Sequence, residues 1–355
     1  MPETPTGGPG RLQEEVLARG ECVACGLCVA LCPYISYAGD RVRVVYPCGR
    51  TEGACYAVCP RVKRQPGVPD RPVVEAAERS EAELGPYRAL WWARAAEAAR
   101  AAGAQYGGTV TALLALALVR GWAQGVVAVG ADGGGRPRPE LVTEPEAVRA
   151  CAGSRYVAVP SLAALAEARR QGLERVAVVG RPCQVQALRR WQGRGADEGE
   201  RHWLPQPAVI IGLFCFWALR SEFLDYLEKR VSEPIVKMDI PPEQVVVYTP
   251  AGSISLPLSE VRPFIQPGCH TCSDPTAEAA DVSVGATEAD PRWNTLIVRT
   301  PRGQELVQAA VAEGWLELRP CPEERLPVLR QAVANKRRRV RAGLVAEESG
   351  GRAAP

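Results

Sequence analysis

Histidine is almost missing: His202 and His270 are the only two in 355 residues, which leaves little for a histidine-ligated zinc hydrolase or a Ser-His-Asp triad. Net charge is scarce too. Lys plus Arg at 43 against Asp plus Glu at 40 gives +3, too even for a nucleic-acid carpet or a membrane-surface binder. Long apolar runs are absent: Thr109–Val119 and Val209–Leu219 have 11 residues each, against the ~20 that a spanning helix needs, so no membrane insertion is expected. The start, MPETPTGGPGRLQEE, carries neither a basic cluster nor an apolar stretch, so no secretory signal is expected and the chain is placed in the cytoplasm. Nor does a G-x-G-x-x-G follow a strand, since Gly133–Gly135 leads into Pro137 and Pro139, which argues against a Rossmann nicotinamide site. What remains, 46% apolar and 23% charged, suits a folded chain of about two domains.

Cysteine is what the chain has. There are 13, seven of them within the first 59 residues, while Met and Phe together number six. An odd total without a signal argues against a disulfide framework and for metal or redox use in a reducing compartment. Cys22-x2-Cys25-x2-Cys28-x3-Cys32-Pro33 is the bacterial ferredoxin run, in which the fourth cysteine serves the other cluster of a pair. Gly26 is small where the backbone passes close to inorganic sulfide. Cys55-x3-Cys59-Pro60 repeats the tail of the run, but Gly49 and Glu52 stand where two cysteines belong, with Cys48 one residue from the first. The crossed pattern assigns Cys22, Cys25, Cys28 and Cys59 to one 4Fe-4S cluster. Cys32, Cys48 and Cys55 make a second set one ligand short: a four-iron cluster completed by Glu52 or water, a three-iron cluster, or no cluster. A zinc knuckle is the competing reading.

The expected fold is α+β and α/β: a small ferredoxin-like module at 18–64, a linker over Gln65–Pro72, and a two-lobed mixed α/β body at 84–200 and 205–342 with a tail at 343–355. Expected strands are Tyr87–Ala93, Gly125–Gly130, Arg155–Val159, Arg175–Gly180, Ala208–Phe214, Val282–Gly285 and Leu296–Arg299, with a hairpin over Val245–Leu256. Helices are expected at Arg94–Ala102, Thr109–Arg120, Ser161–Gln171 with Ser161 as N-cap, Val185–Trp191, Glu222–Arg230 and Gln304–Glu313. Gln192–Arg201 reads as a charged loop, and Asn335–Arg341 (NKRRRVR) as a solvated basic face ending a helix.

Cys183 follows the strand RVAVVG at a helix start and Cys215 follows VIIGLF, so both stand at carboxyl ends of core strands, where open α/β sheets bind ligands. Helix-start N–H groups favour a thiolate at Cys183. Cys269-x2-Cys272 completes four thiols from three segments, enough for a third cluster, whereas Cys151 and Cys321 lack partner spacing and are read as structural. His270 reads as a solvent-facing loop residue, and Trp91, Trp92 and Trp217 as core packing.

Tyr106–Leu114, Val178–Gln184, Ile211–Cys215, Cys269–Asp274 with Ala280–Gly285, and Trp293–Thr300 resemble, in order, the beta subunits of coenzyme F420 hydrogenases and dehydrogenases. Cys55–Arg61 looks like the members that carry an N-terminal ferredoxin-like module. The resemblance spans about residues 20–340 and implies an iron-sulfur flavoprotein with two or three 4Fe-4S clusters and FAD. Its implied partners are hydrogenase, formate dehydrogenase or other redox-complex subunits, with ferredoxin or coenzyme F420 as carrier and no nucleic acid. A non-catalytic electron relay, or a ferredoxin-dependent reductase of another substrate, are the alternatives on the same scaffold. Arg181 where many members have Thr, Ala286 where Asp often follows the glycine, and Phe216–Trp217 at an often polar place depart from the family pattern and bear on the hydride partner. A flavin suits the reading because clusters pass single electrons while a deazaflavin takes hydride. Its expected contacts are Gly107, Gly108 and Thr109, at the positive end of a helix, together with Thr295 and with Arg299 on the diphosphate.

Overall fold

The computed structural model describes residues 7–62, 78–194, 204–241, 243–287 and 289–348. The expected linker, residues 195–201 of the charged loop, His202 and most of the tail lie outside them. Two short hairpins come first: β1 (Ile35–Ala38) with β2 (Arg41–Val44), and β3 (Arg79–Glu81) with β4 (Gly85–Tyr87). Then follow β5 (Ala89–Ala95), β6 (Gly125–Ala131), β7 (Pro137–Val142), β8 (Arg175–Gly180) and β9 (Gln206–Leu213). β10 (Lys237–Asp239), β11 (Gln244–Thr249) and β12 (Gly252–Pro257) form a separate antiparallel sheet, and β13 (Val282–Ala286), β14 (Asn294–Val298) and β15 (Leu316–Pro320) complete the series.

Eight strands build one mixed sheet in the order β15-β5-β14-β13-β9-β8-β6-β7. Its centre, β13, β9, β8 and β6, is parallel; its flanks are antiparallel. Alternation along these strands sends Val126, Ala177, Val209 and Ile211 to one face, under the helices Thr109–Val119 and Pro301–Ala312. Val127, Val176, Val178 and Ile210 go to the other, under the helix Pro182–Gly193. Helices on both faces of a mostly parallel centre make the chain mixed α/β.

The cysteine module is not a bead on a string. Val23, Leu27, Leu31 and Val58 share one core with Leu162, Leu165 and Leu188 of the body. Two glycines make that approach possible. A Cβ on Gly26, whose φ is +90°, would lie 2.3 Å from the Pro160 carbonyl oxygen, and one on Gly268 would lie 2.2 Å from that of Glu21. The Leu162 N–H donates to the Cys25 carbonyl at 3.2 Å, and buried Asp40 accepts from the Ser221 hydroxyl at 2.5 Å.

Several expectations need correction. Arg94–Ala102 is not a helix: β5 runs to Ala95 and a single 3-10 turn, Glu97–Ala99, follows. Ala93 and Ala95 pair with Leu318 and Leu316, so sheet pairing overrides alanine's helical preference. Arg155–Val159 contributes only a bridge from Val157 to Leu219. Ser161 is buried and opens a 3-10 turn rather than capping a helix; its hydroxyl accepts from Gln184 Nε2 at 2.7 Å. The basic run Asn335–Arg341 lies inside the helix Leu326–Glu348 and is not wholly solvated, because Lys336 is only 3% exposed. Among the described residues no helix is long and apolar enough to cross a membrane.

Candidate functional site

Thiols from distant parts of the chain meet in three sets. In the module, the helix Leu27–Leu31 and the helix Ala54–Ala57 bring the two ends of the cysteine pattern together. A cavity opens between Cys22, Cys25, Cys28 and Cys59, walled by Leu12, Val16, Val42 and Val58. Burial pushes the Cys22 thiol up to about 11 and those of Cys25 and Cys28 well above their ordinary value, and each is raised further by its neighbours in the set. Cys55, lifted to about 11 by burial and then by Cys32 and Cys48, belongs to a second set. Cys32 and Cys48 are partly exposed and Glu52 is exposed, so this set lies toward the surface.

The third set lies at the carboxyl edge of the large sheet. Cys183 is the second residue of the helix Pro182–Gly193 after β8, and Cys215 is two residues past the end of the adjacent parallel strand β9. Cys269 and Cys272 come from the turn Pro267–Thr271 and the residue after it. Burial pushes Cys215 up to about 12 and Cys269 to about 11, with Cys183 raising both. His270, between the two cysteines of the turn, is exposed, as expected of a loop residue.

The sets adjoin one another. Cys55 adds to the proton affinity of Cys28, and Cys183 to that of Cys22 and Cys25, so the module's four-thiol set neighbours both the surface set and the body set. Among the described residues no three His, Cys, Asp or Glu side chains converge closely enough to grip a single metal ion. Sulfurs around one tetrahedral zinc stand about 3.8 Å apart, given Zn–S bonds of ~2.3 Å, whereas the four thiols of the module ring a cavity.

Buried cations surround the thiols, and composition alone did not reveal them. Lys336 Nζ donates to the Cys215 carbonyl at 2.7 Å and the Asp274 carbonyl at 3.3 Å, and lies 3.6 Å from Cys272 Sγ. Burial alone would depress this ammonium; Cys272, Cys215, Cys269 and Asp274 outweigh it and hold it above its ordinary value. Arg190, 4% exposed, donates to the carbonyls of Cys59 and Val62, and Arg61 donates to the Thr271 hydroxyl. A signal for Lys336 did exist: it shares a helix stripe with Val333 and Val340, three residues after one and four before the other, and all three are buried.

Raised thiols give a testable pH dependence. A cysteine that keeps its proton to about pH 11 in the folded chain, against an ordinary value of 9.0, stabilises the fold below pH 9; that contribution is lost as pH climbs toward 11. Metal-free protein should therefore show a urea midpoint that is flat below pH 9 and falls between pH 9 and 11. A midpoint that rises over that window would contradict the burial of these thiols.

The five residues expected at a flavin are placed unevenly. Gly108, with φ +74°, is the N-cap of the helix Thr109–Val119 and has no side chain to cap it; Asn294 takes the Thr109 N–H, and the partly exposed residues Val110 and Thr111 complete a first turn suited to an anion. Gly107 packs against the sheet, where a Cβ would lie 2.6 Å from Asn294 Oδ1. Thr109 is fully buried; its hydroxyl donates to the Ala93 carbonyl at 3.1 Å and its N–H to Asn294 Oδ1 at 3.4 Å. Thr295 is buried too, with its hydroxyl 3.5 Å from the Ala286 carbonyl. Arg299 presents no face to a diphosphate. Its guanidinium is 0% exposed and donates to Ser283 Oγ at 2.6 Å, to the Leu84 and Pro86 carbonyls at 2.9 Å each, and to Thr276. Across β5 from Thr295, Arg319 is stacked between Trp92 and Trp293 at 4.5 and 4.2 Å and pairs with Asp290 at 3.4 Å, while its buried Nε makes no hydrogen bond among the described residues.

Comparison with known proteins covers most of this frame. Residues 90–166 match the family model for the N-terminal part of the coenzyme F420 hydrogenase/dehydrogenase beta subunit, and residues 173–324 match the model for its C-terminal part. The coenzyme F420 hydrogenase subunit beta of Methanosarcina barkeri is 33% identical over 264 residues, 71% of this chain and 89% of that one. A subunit of the F(420)H(2) dehydrogenase of Methanosarcina mazei is 28% identical over 336 residues, 91% of each chain. A chain of the F420-reducing [NiFe] hydrogenase complex from Methanosarcina barkeri superposes with a TM-score of 0.71 at 30% identity, over 77% of this chain and 96% of that one.

Proposed function

Because the chain belongs to the family of coenzyme F420 hydrogenase/dehydrogenase beta subunits, we propose that it is an iron-sulfur flavoprotein that moves electrons between 4Fe-4S clusters and coenzyme F420 through FAD, as one subunit of a redox complex. The observation that carries this reading is the adjacency of three thiol sets, from partly exposed Cys32 and Cys48 to Cys183 and Cys215 at the sheet's carboxyl edge. Cys22, Cys25, Cys28 and Cys59 would hold one cluster, Cys183, Cys215, Cys269 and Cys272 another, and Cys32, Cys48 and Cys55 an incomplete third. The donor sets fit: each thiol must become a thiolate to bind iron, and Arg61, Arg181, Arg190 and Lys336 supply the positive charge that offsets an anionic cluster.

FAD would supply the exchange between single electrons and hydride. The partly exposed first turn of Thr109–Val119, beyond the Thr109 N–H that Asn294 takes, fits its phosphates, with Gly107 holding the backbone close to the sheet. Tyr106 and Gln105 fix that loop from outside, the tyrosine hydroxyl donating to Asp239 at 2.7 Å and the amide to the Met238 carbonyl at 2.8 Å. A hydrogenase or other redox-complex subunit is the proposed partner on the electron-input side.

Anaerobically purified protein should contain iron, acid-labile sulfide and one FAD, and in its reduced form should bleach the absorbance of oxidised coenzyme F420 in stopped flow. Zinc without sulfide, or unchanged coenzyme absorbance in flavin-free protein, would overturn the proposal. A second reading has an observation of its own: Arg299 and Thr109 are committed to internal hydrogen bonds, which suits a relay subunit without flavin. Clusters without FAD in the same assay would establish that reading instead.

A further inference from the structure

Arg181 occupies the seam between the module and the body. It directly precedes the helix Pro182–Gly193, and its guanidinium donates to the carbonyls of Val23 at 3.3 Å and Ala24 at 3.2 Å in the module and of Val159 at 3.3 Å in the body. Ala24 is one of only two non-glycine residues among those described with positive φ, at +49°, so the backbone between Cys22 and Cys25 adopts a costly conformation where it meets this side chain. Three carbonyls fix the position of the charge but do not neutralise it. Its partner Ala24 directly precedes Cys25 of the module's four-thiol set, and Arg181 itself caps the helix whose second residue is Cys183 of the body set. Lys336 differs: its ammonium lies 3.6 Å from Cys272 Sγ and donates to the Cys215 and Asp274 carbonyls, all in the body.

We propose that Arg181 is a shared positioning charge for the two adjoining clusters, raising the reduction potential of both and lowering the repulsion between them when both are reduced, while Lys336 acts on the body cluster alone. The inference rests on the cluster reading above. A fixed cation beside an anionic centre favours its reduced form, because net charge and hydrogen bonding set cluster potentials. Each cluster takes up one electron in this step, and no proton transfer is required. The consequence is specific to the seam: both centres can be reduced together at one working potential.

Potentiometric titration with dithionite, followed by electron paramagnetic resonance on the anaerobic full-length protein, reads both midpoints. In Arg181→Gln both should fall, each by about tenfold in the reduction equilibrium, which for a one-electron couple is about 59 mV. In Lys336→Gln only the body signal should fall, and Arg181→Lys should restore both midpoints. Iron and sulfide content, measured on the same samples, separates the two levels of argument. Wild-type protein without iron-sulfur signals would remove the cluster reading itself, whereas intact signals with unmoved midpoints in Arg181→Gln would overturn the shared charge. If Arg181→Gln loses iron, retention of iron and of both midpoints in Arg181→Lys shows that the site requires the charge; loss in both variants makes Arg181 a scaffold residue and overturns the proposal.

Discussion

Replacing Cys183 with alanine should remove about four irons per chain and cut coenzyme F420 reduction by roughly 10²-fold or more, while bound flavin stays in place. The expectation follows from where the side chain sits. Cys183 is the body-set thiol that adjoins the module: it raises the thiols of Cys22 and Cys25 there and of Cys215 and Cys269 in its own set. Its loss leaves the body set one thiol short, next to the module. Cys25→Ala should behave differently, deleting the module's signal and leaving the flavin reducible by artificial donors such as dithionite. Iron analysis, flavin absorbance and stopped-flow reduction check both variants. A Cys183→Ala protein that keeps all its iron and its rate would show that the body set holds no cluster.

Arg299→Leu should destabilise the fold by about 3–5 kcal/mol, a large part of the ~5–15 kcal/mol by which a domain is usually stable. The substitution leaves the carbonyls of Leu84, Pro86 and Thr276 and the hydroxyl of Ser283 without their donor in a dry interior. The arginine thereby ties the loop before β4, the end of β14 and the segment ahead of β13 into one block. Soluble yield and urea denaturation measure the effect. A variant that keeps wild-type stability and loses only FAD would return Arg299 to the flavin.

How much of this was legible in the sequence varies with the physical cause. Branched apolar runs such as Arg175–Gly180 read directly as strands, because a strand buried on both faces is apolar throughout. The hairpin of β11 and β12 was visible in its Pro-Ala-Gly turn, yet β10, Lys-Met-Asp, was not, since three residues carry no period. Thiol groupings were legible because ligand spacing is local in the module and strand ends are recognisable in the body. Of the buried cations, Lys336 left only the signal of its apolar helix stripe and Arg190 none, because both resemble ordinary surface residues until their helices are packed. The internal bonds of Arg299 were hidden for the same reason: an arginine at a strand end looks the same whether it faces an anion or three carbonyls.

The glycine contacts that seat the module against the body also impose an order on biosynthesis. The cysteines of the module leave the ribosome first, but the surfaces that complete their surroundings, Pro160, Leu162, Arg181, Arg190 and Gly268, are made more than a hundred residues later. The nascent segment therefore waits with its apolar face uncovered, and a fragment ending near residue 62 lacks the body residues, Leu162, Leu165 and Leu188 among them, that cover Val23, Leu27, Leu31 and Val58. On the proposed cluster reading, metal loading would be completed only after the body has folded.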